Sequence, residues 1–428
     1  MNHLRIFLPC AAGVEELLAE EVARITGQAM AAIGRWRGGV GLQAAWRDVL
    51  LLNLHSRLAQ RVLVQLGHAE YRDEQDLYAM ASSISWEAWF TPRNSFKIEI
   101  TAQHSPLRSL NFATLRVKDA LADRFRDKSG VRPDVQTRWP DVRVHLHLSA
   151  THQTLYIDTS GEALFKRGWR ADKGDAPLKE TLAAAMIAAS GWDGLSPLYD
   201  PCCGSGTIAI EAAQIACRMA PGRMRRFGFE KLLPFQQHVW IAIKNEAQSA
   251  EITAETRVFG SDVAHRMVDF AQRNAERAGV AGVVQLRGGD ALQRMPPSDR
   301  PGVLLLNPPY GERIAAGGVA GARGGRERVM LDPAGVLRRT DGVQRSPGHT
   351  DAQEQDTFFQ MLGTHWKRHF TGWTAWVLTP DMGLPGRLRL KESRRVPMWN
   401  GPIECRMFRF DLTGPVTRPA RNAADNAA

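Results

Sequence analysis

The sequence predicts a doubly wound α/β domain with a mainly parallel sheet, preceded by an α+β module. Three observations carry this. From about residue 197 onward, short apolar runs alternate regularly with helical segments: "PLYD", "RVFGSD", "VVQLRGGD", "GVLLLN", "TAWVLT" and "CRMFRFDL". The first of these runs leads into a helix near Thr207 through the glycine turn "DPCCGSGT". Before residue 160 the pattern differs, with strands and helices of period 2 and 3.6 in no βαβ rhythm.

The N-terminal elements follow in order. "RIFLPC" reads as a strand, and "GVEELLAEEVARIT" as a helix with Leu17, Leu18, Val22 and Ile25 on one face. Residues 1–60 are expected to form one small domain and 61–162 a second. Within the second, "SFKIEIT" alternates Phe96, Ile98 and Ile100, "NFATLRVKDALADRFRDKSG" is helical, and "VRVHLHLS" puts Val142, Val144, Leu146 and Leu148 on one face. The other face of that strand carries Arg143, His145 and His147, and the helix carries Arg116, Lys118, Arg124, Arg126 and Lys128. These faces read either as a solvated surface or as phosphate contacts for a nucleic acid.

Residues 163–413 form the α/β domain. Two stretches break its rhythm: 221–255 inserts extra structure after the first helix, and about 315–352, rich in Gly and Arg, reads as a mobile surface excursion. The tail 414–428 is expected to be disordered. Lys and Arg outnumber Asp and Glu by 55 to 45 and the sequence pI is about 9.7, which favours a polyanionic partner. Five cysteines without C-x-x-C spacing suggest neither zinc nor a disulfide framework, so no metal is expected. The N-terminus gives no signal peptide and no run reaches membrane-spanning length, so a cytoplasmic monomer is expected.

A strand ending at Asp200, a Gly-x-Gly turn and a helix match a nucleotide crevice at the carboxyl ends of parallel strands. Glycine lets a ligand approach the backbone, and the helix N-terminus offers unpaired N–H groups. The spacing alone does not separate a nicotinamide dinucleotide from other adenosyl cofactors, nor a ligand site from a tight strand-to-helix connection. The first acidic residue closing the next strand is Asp262, displaced by the 221–255 insertion.

The deciding stretch is "LLLNPPYGER", Leu304 to Arg313. With "DPCCGSGT", "GSD" and "GGD" it resembles the Rossmann-like class I S-adenosyl-L-methionine-dependent methyltransferases that modify exocyclic amino nitrogens. The resemblance implies catalysis by Asn307, Pro308, Pro309 and Tyr310: acceptors on Asn307 and Pro308 hold the amino group, and Tyr310 stacks on the extruded base. It puts the methionine part of the cofactor over Gly204, Ser205, Gly206 and Thr207, with Asp200 near its amino group. Asp262 would accept from the ribose hydroxyls and Asp290 would face the adenine amino group, although each also reads as a turn or cap residue. In "RGWRADKGDAPLKETLAAA", Thr181 would close over the cofactor and Arg167 or Arg170 would meet phosphate, as would Arg313.

An NPPY motif names the atom type and not the molecule. The N-terminal half resembles a ferredoxin-like domain followed by a THUMP RNA-binding domain, and the whole of residues 1 to 413 is most similar to the bacterial 23S rRNA guanine-N2 methyltransferases. That implies N2-methylation of a guanosine in 23S rRNA, either naked or in a ribosome assembly intermediate. A tRNA guanine-N2 enzyme is the main alternative; a DNA amino-methyltransferase and an inactive RNA-binding protein are further ones. In some relatives a second methyltransferase follows on the same chain; here none is expected.

Overall fold

The computed structural model describes residues 3–174, 177–255, 257–308 and 350–413. Pro309, Tyr310, Arg313, the Gly- and Arg-rich stretch as far as 349, and the tail 414–428 lie outside the described residues.

Two seven-stranded sheets organise the chain. The first contains β1 (Leu4–Pro9), β2 (Gly34–Trp36), β3 (Gly39–Ala44), β4 (Leu63–Glu70), β5 (Phe96–Ala102), β6 (Val142–Leu148) and β7 (His152–Asp158), in the order β2-β3-β1-β4-β7-β6-β5. It crosses the junction near residue 60 because β1 pairs with β4, Ile6 opposite Val64. Its apolar face is set by period-2 alternation: Val142, Val144, Leu146 and Leu148 are all buried, whereas Arg143, His145 and His147 point to the other side.

The second sheet contains β8 (Leu198–Asp200), β9 (Val258–Asp262), β10 (Val284–Gly288), β11 (Val303–Leu306), β12 (Thr374–Thr379), β13 (Arg394–Asn400) and β14 (Ile403–Asp411), in the order β10-β9-β8-β11-β12-β14-β13. The first five run parallel and the last two are antiparallel to their neighbours. The sequence patterns point to six of these strands. They miss β13, "RRVPMWN", whose charged pair and Pro397 suit only an edge, which is where it lies. Along β11, Leu305 joins one core and Leu304 and Leu306 the other, so helices cover both faces.

The chain leaves β8 toward β9 and β10 on one side and returns to β11 on the other. That reversal opens a crevice at the carboxyl ends of β8 and β11.

The N-terminal module and the α/β domain share one core. A single apolar cluster runs from Ile6 and Leu50 through Trp169 to Ile210 and Met398. At their junction Glu211, fully buried on helix Thr207–Ala216, pairs with Arg167 at 3.0 Å and with Arg57 of the N-terminal module at 3.1 Å. The 221–255 insertion adds a second clamp: Phe227 and Phe229 stack at 5.1 Å, Trp240 meets both rings edge-on, and the Arg225 guanidinium donates to the Ser160 and Ala163 carbonyls.

Candidate active site

The site is built from the ends of β8, β9, β10 and β11. After β8 the backbone folds over in a turn closed by four bonds: Cys202 N–H to Asp200 Oδ1 at 3.1 Å, Cys203 N–H to the Ser261 carbonyl at 2.8 Å, Gly204 N–H to Asp262 Oδ2 at 2.9 Å, and Gly206 N–H to the Cys203 carbonyl at 2.8 Å. Both glycines take left-handed backbone, with φ of 53° at Gly204 and 86° at Gly206. Their surroundings differ. A Cβ on Gly206 would come 3.0 Å from the Ala271 Cβ of helix His265–Ala278, so packing demands glycine there. A Cβ on Gly204 would meet nothing closer than a Met267 methyl at 3.9 Å, leaving room for a ligand over the backbone. Helix Thr207–Ala216 begins at Gly206 with no side-chain cap, so its first-turn amides are presented to that space.

Arg170 supports this turn from beneath. Its guanidinium donates to Thr207 Oγ1 at 2.8 Å, Ser205 Oγ at 3.2 Å and the Leu178 carbonyl at 3.1 Å, and pairs with Glu180 at 2.7 Å. Arg167 is 2% exposed and its charge is met by Glu211. The sequence offered either arginine to phosphate; in the structure the partners of both lie inside the protein. Thr181 is buried at the start of helix Glu180–Ser190.

Three carboxylates converge on the turn. Asp200 is 2% exposed, and burial, with Asp262 nearby, pushes its carboxyl up to about 8. Asp262, half-buried at the end of β9, accepts from Gly204 N–H and, through Oδ1, from Ala264 N–H at 2.9 Å. Asp290 lies two residues past β10 and accepts from Leu292 N–H at 2.9 Å. Both aspartates stitch their turns, yet each carboxylate keeps further lone pairs. Burial and these carboxylates hold the Cys202 and Cys203 thiols well above their ordinary range, so neither serves as a thiolate. The electrostatics favour a cationic ligand over an anionic one.

Asn307 and Pro308 directly follow β11. Leu304 pairs with Tyr199, so Asn307, three residues on, emerges at the same edge of the sheet as the turn that follows Asp200 on the neighbouring strand. Asn307 is half-buried and Pro308 buried.

One supporting residue was missed from the sequence. Asn274 donates to the Ser205 carbonyl at 3.0 Å and to the Asp172 carbonyl at 2.8 Å, tying the turn to the segment that precedes it. A polar residue among Ala271, Ala275 and Ala278 on a buried helix face is the signal that could have found it.

Comparison with known proteins agrees with this layout. Residues 5–63 match the RlmL ferredoxin-like domain, 71–158 the THUMP domain, and 167–321 the RMKL-like methyltransferase domain. The chain belongs to the THUMP-domain class I methyltransferases of RlmL-like type. It is 35% identical over 416 residues to the ribosomal RNA large subunit methyltransferase K/L of Psychromonas ingrahamii, covering 96% of this chain and 50% of that protein. The protein of the same name from Shewanella amazonensis is 36% identical over 386 residues, covering 89% of this chain and 49% of that one. The chain thus spans about half the length of these relatives. The crystal structure of SMU.472 complexed with SAH has the same fold, with a TM-score of 0.80 at 24% identity over 98% of this chain and 100% of that one.

In the segment that matches the THUMP domain, the basic faces read from the sequence are largely neutralised from within. Arg143 donates to Glu99 at 2.8 Å, His145 lies 3.3 Å from Glu99 and 3.5 Å from Asp158, Arg124 pairs with Glu87, and Arg126 with Asp123. Residues 61–162 carry 13 Lys and Arg against 13 Asp and Glu. Among the described residues no cluster of His, Cys, Asp and Glu could hold a metal, and no helix is long and apolar enough to cross a membrane.

Proposed function

We propose that the chain methylates the exocyclic N2 of a guanosine in 23S rRNA. The observation that carries this is the emergence of Asn307 and Pro308 beside the glycine turn, at the ends of adjacent parallel strands. When bound, S-adenosyl-L-methionine supplies an electrophilic methyl group on a sulfonium. The chain's residues do the rest. Asp200 takes the ammonium of the methionine part, Asp262 accepts from the ribose hydroxyls, and Asp290 faces the adenine amino group. The rRNA as substrate class is supported by the name of both relatives.

Guanine N2 is conjugated with its ring and is a poor nucleophile. Acceptors at the Asn307 side chain and the Pro308 carbonyl bond its two hydrogens, so its lone pair points at the methyl group. As the N–C bond forms and the C–S bond breaks, positive charge builds on nitrogen and those same bonds strengthen. No strong base is required, because the alkylated amino group loses its proton readily afterwards. Tyr310 is assigned from the sequence to stack on the flipped base. Asn307→Ala is expected to lower kcat by about 10² while leaving cofactor affinity, measured by calorimetry, unchanged. Loss of cofactor affinity with kcat intact would show that Asn307 does not act on the amino group.

A further inference from the structure

From the open face of the first sheet and its contact with β13, we infer that the β2–β3 hairpin binds an unpaired RNA segment flanking the target, with Trp36 as stacking platform and Arg37 as phosphate contact. This rests on the reading of the chain as an RNA methyltransferase.

Trp36 is 59% exposed although large aromatics at a sheet edge are normally covered. Its position is not accidental. The six-membered ring occupies the space that side chains at Gly34 and Gly41 would fill, with the Gly41 Cβ position 2.9 Å from Trp36 Cζ3. Gly34 and Gly41 face each other across the hairpin on the same side as Trp36. The ring is thus laid across bare backbone, one side supported and the other turned outward. The next ring on that face, Phe7, fills the space over Gly39 and lies 6.0 Å from Tyr156, so aromatic surface continues along the sheet. Successive rings on an open sheet face are what unstacked bases use.

Arg37 adds the charge. Its guanidinium lies 5.1 Å from the Trp399 ring centroid of β13, where Arg406 also packs at 5.8 Å. Among the described residues it meets no carboxylate. Stacking on an indole fixes the guanidinium without neutralising it, leaving its N–H groups for phosphate. The balance of charge nearby is positive: residues 384–413 carry 7 Lys and Arg against 3 Asp and Glu, with Arg387, Arg395, Arg406 and Arg409 paired to carboxylates, whereas the THUMP segment is balanced.

The location suits the reaction. β13 runs parallel to β12, so Trp399 lies at the same edge of the sheet as Asp200 and Asn307. The Trp399 N–H donates to the Ala12 carbonyl at 3.1 Å, which docks the N-terminal module there. Three strand spacings separate β13 from β11, about 14 Å, or about four stacked nucleotides.

The test measures binding of a fluorescein-labelled oligouridylate and of 23S rRNA to the full chain across a salt series. Trp36→Ala is expected to weaken oligouridylate binding about 5- to 100-fold without changing the salt dependence. Arg37→Ala is expected to lower the slope of log K against log salt by about one. S-adenosyl-L-methionine affinity should not move in either. Should Trp36→Ala unfold, Trp36→Leu covers the glycines without a π-face and must show the same loss. Parent-like affinity and slope in both variants, or a parent that binds 23S rRNA but not oligouridylate, overturns this inference alone. A parent that binds neither RNA overturns the functional reading and this inference with it.

Discussion

Asp200 is a residue whose chemistry is reset by its surroundings. Burial and the nearby Asp262 push its carboxyl up to about 8, which favours the protonated form at neutral pH. A ligand ammonium favours the ionised form, so binding should release that proton. Cofactor affinity is then expected to rise from pH 6 to pH 8, with heat of binding that varies with the ionisation enthalpy of the buffer; Asp200→Asn should show neither. The same shift acts on stability with a definite sign. The folded carboxyl binds its proton more tightly than the unfolded one, so its contribution is full below the ordinary value near 3.8 and is lost as pH rises toward 8. The Tm of Asp200→Asn relative to the parent should therefore increase between pH 5 and pH 8. A pH-independent difference would mean that Asp200 is ionised in the empty protein.

At the scale of elements, the strand, turn and helix around Gly204 and Gly206 were legible because the signals are local. The apolar run, the two glycines and the helical period lie within about twenty residues. What lay under the turn was not. Among the partners of Arg167 and Arg170, Glu211, Ser205 and Thr207 lie between 35 and 44 residues away, and nothing in the spacing of "RGWR" reveals that the two arginines close on that turn and helix. β13 was hidden for a related reason, since an edge strand needs no apolar face of its own. The two glycines make a separable prediction. Gly206→Ala brings a Cβ 3.0 Å from Ala271 at φ 86° and should cost more than ~1 kcal/mol of stability, read as a lower Tm. Gly204→Ala carries left-handed strain at φ 53° but meets open space, so it should lower Tm less than Gly206→Ala does while weakening cofactor affinity more. Thermal melts and calorimetry on both variants read the contrast, and equal behaviour would remove the argument that one glycine serves packing and the other the ligand.

On the scale of the whole molecule, composition favours a polyanionic partner but does not say where the free charge lies, because ion pairs such as Arg143 with Glu99 form between strands distant in sequence. The shared core and the buried Arg57–Glu211 pair make the N-terminal module part of the α/β domain's stability. A chain beginning near residue 160 would strip Glu211 of one of its two cations and expose apolar core, a change of the kind that costs about 3 to 5 kcal/mol when a buried pair is broken. We expect the full chain to unfold in a single calorimetric transition and the truncated one to melt far lower or not fold. Two separate transitions would show independent modules.

The most direct test of the central claim is transfer of a labelled methyl group from S-adenosyl-L-methionine by the purified chain to total RNA, followed by fractionation and nucleoside analysis. The expected result is label in 23S rRNA as N2-methylguanosine, lost in Asn307→Ala. Label recovered as N6-methyladenosine, found in tRNA alone, or absent from RNA altogether would contradict it.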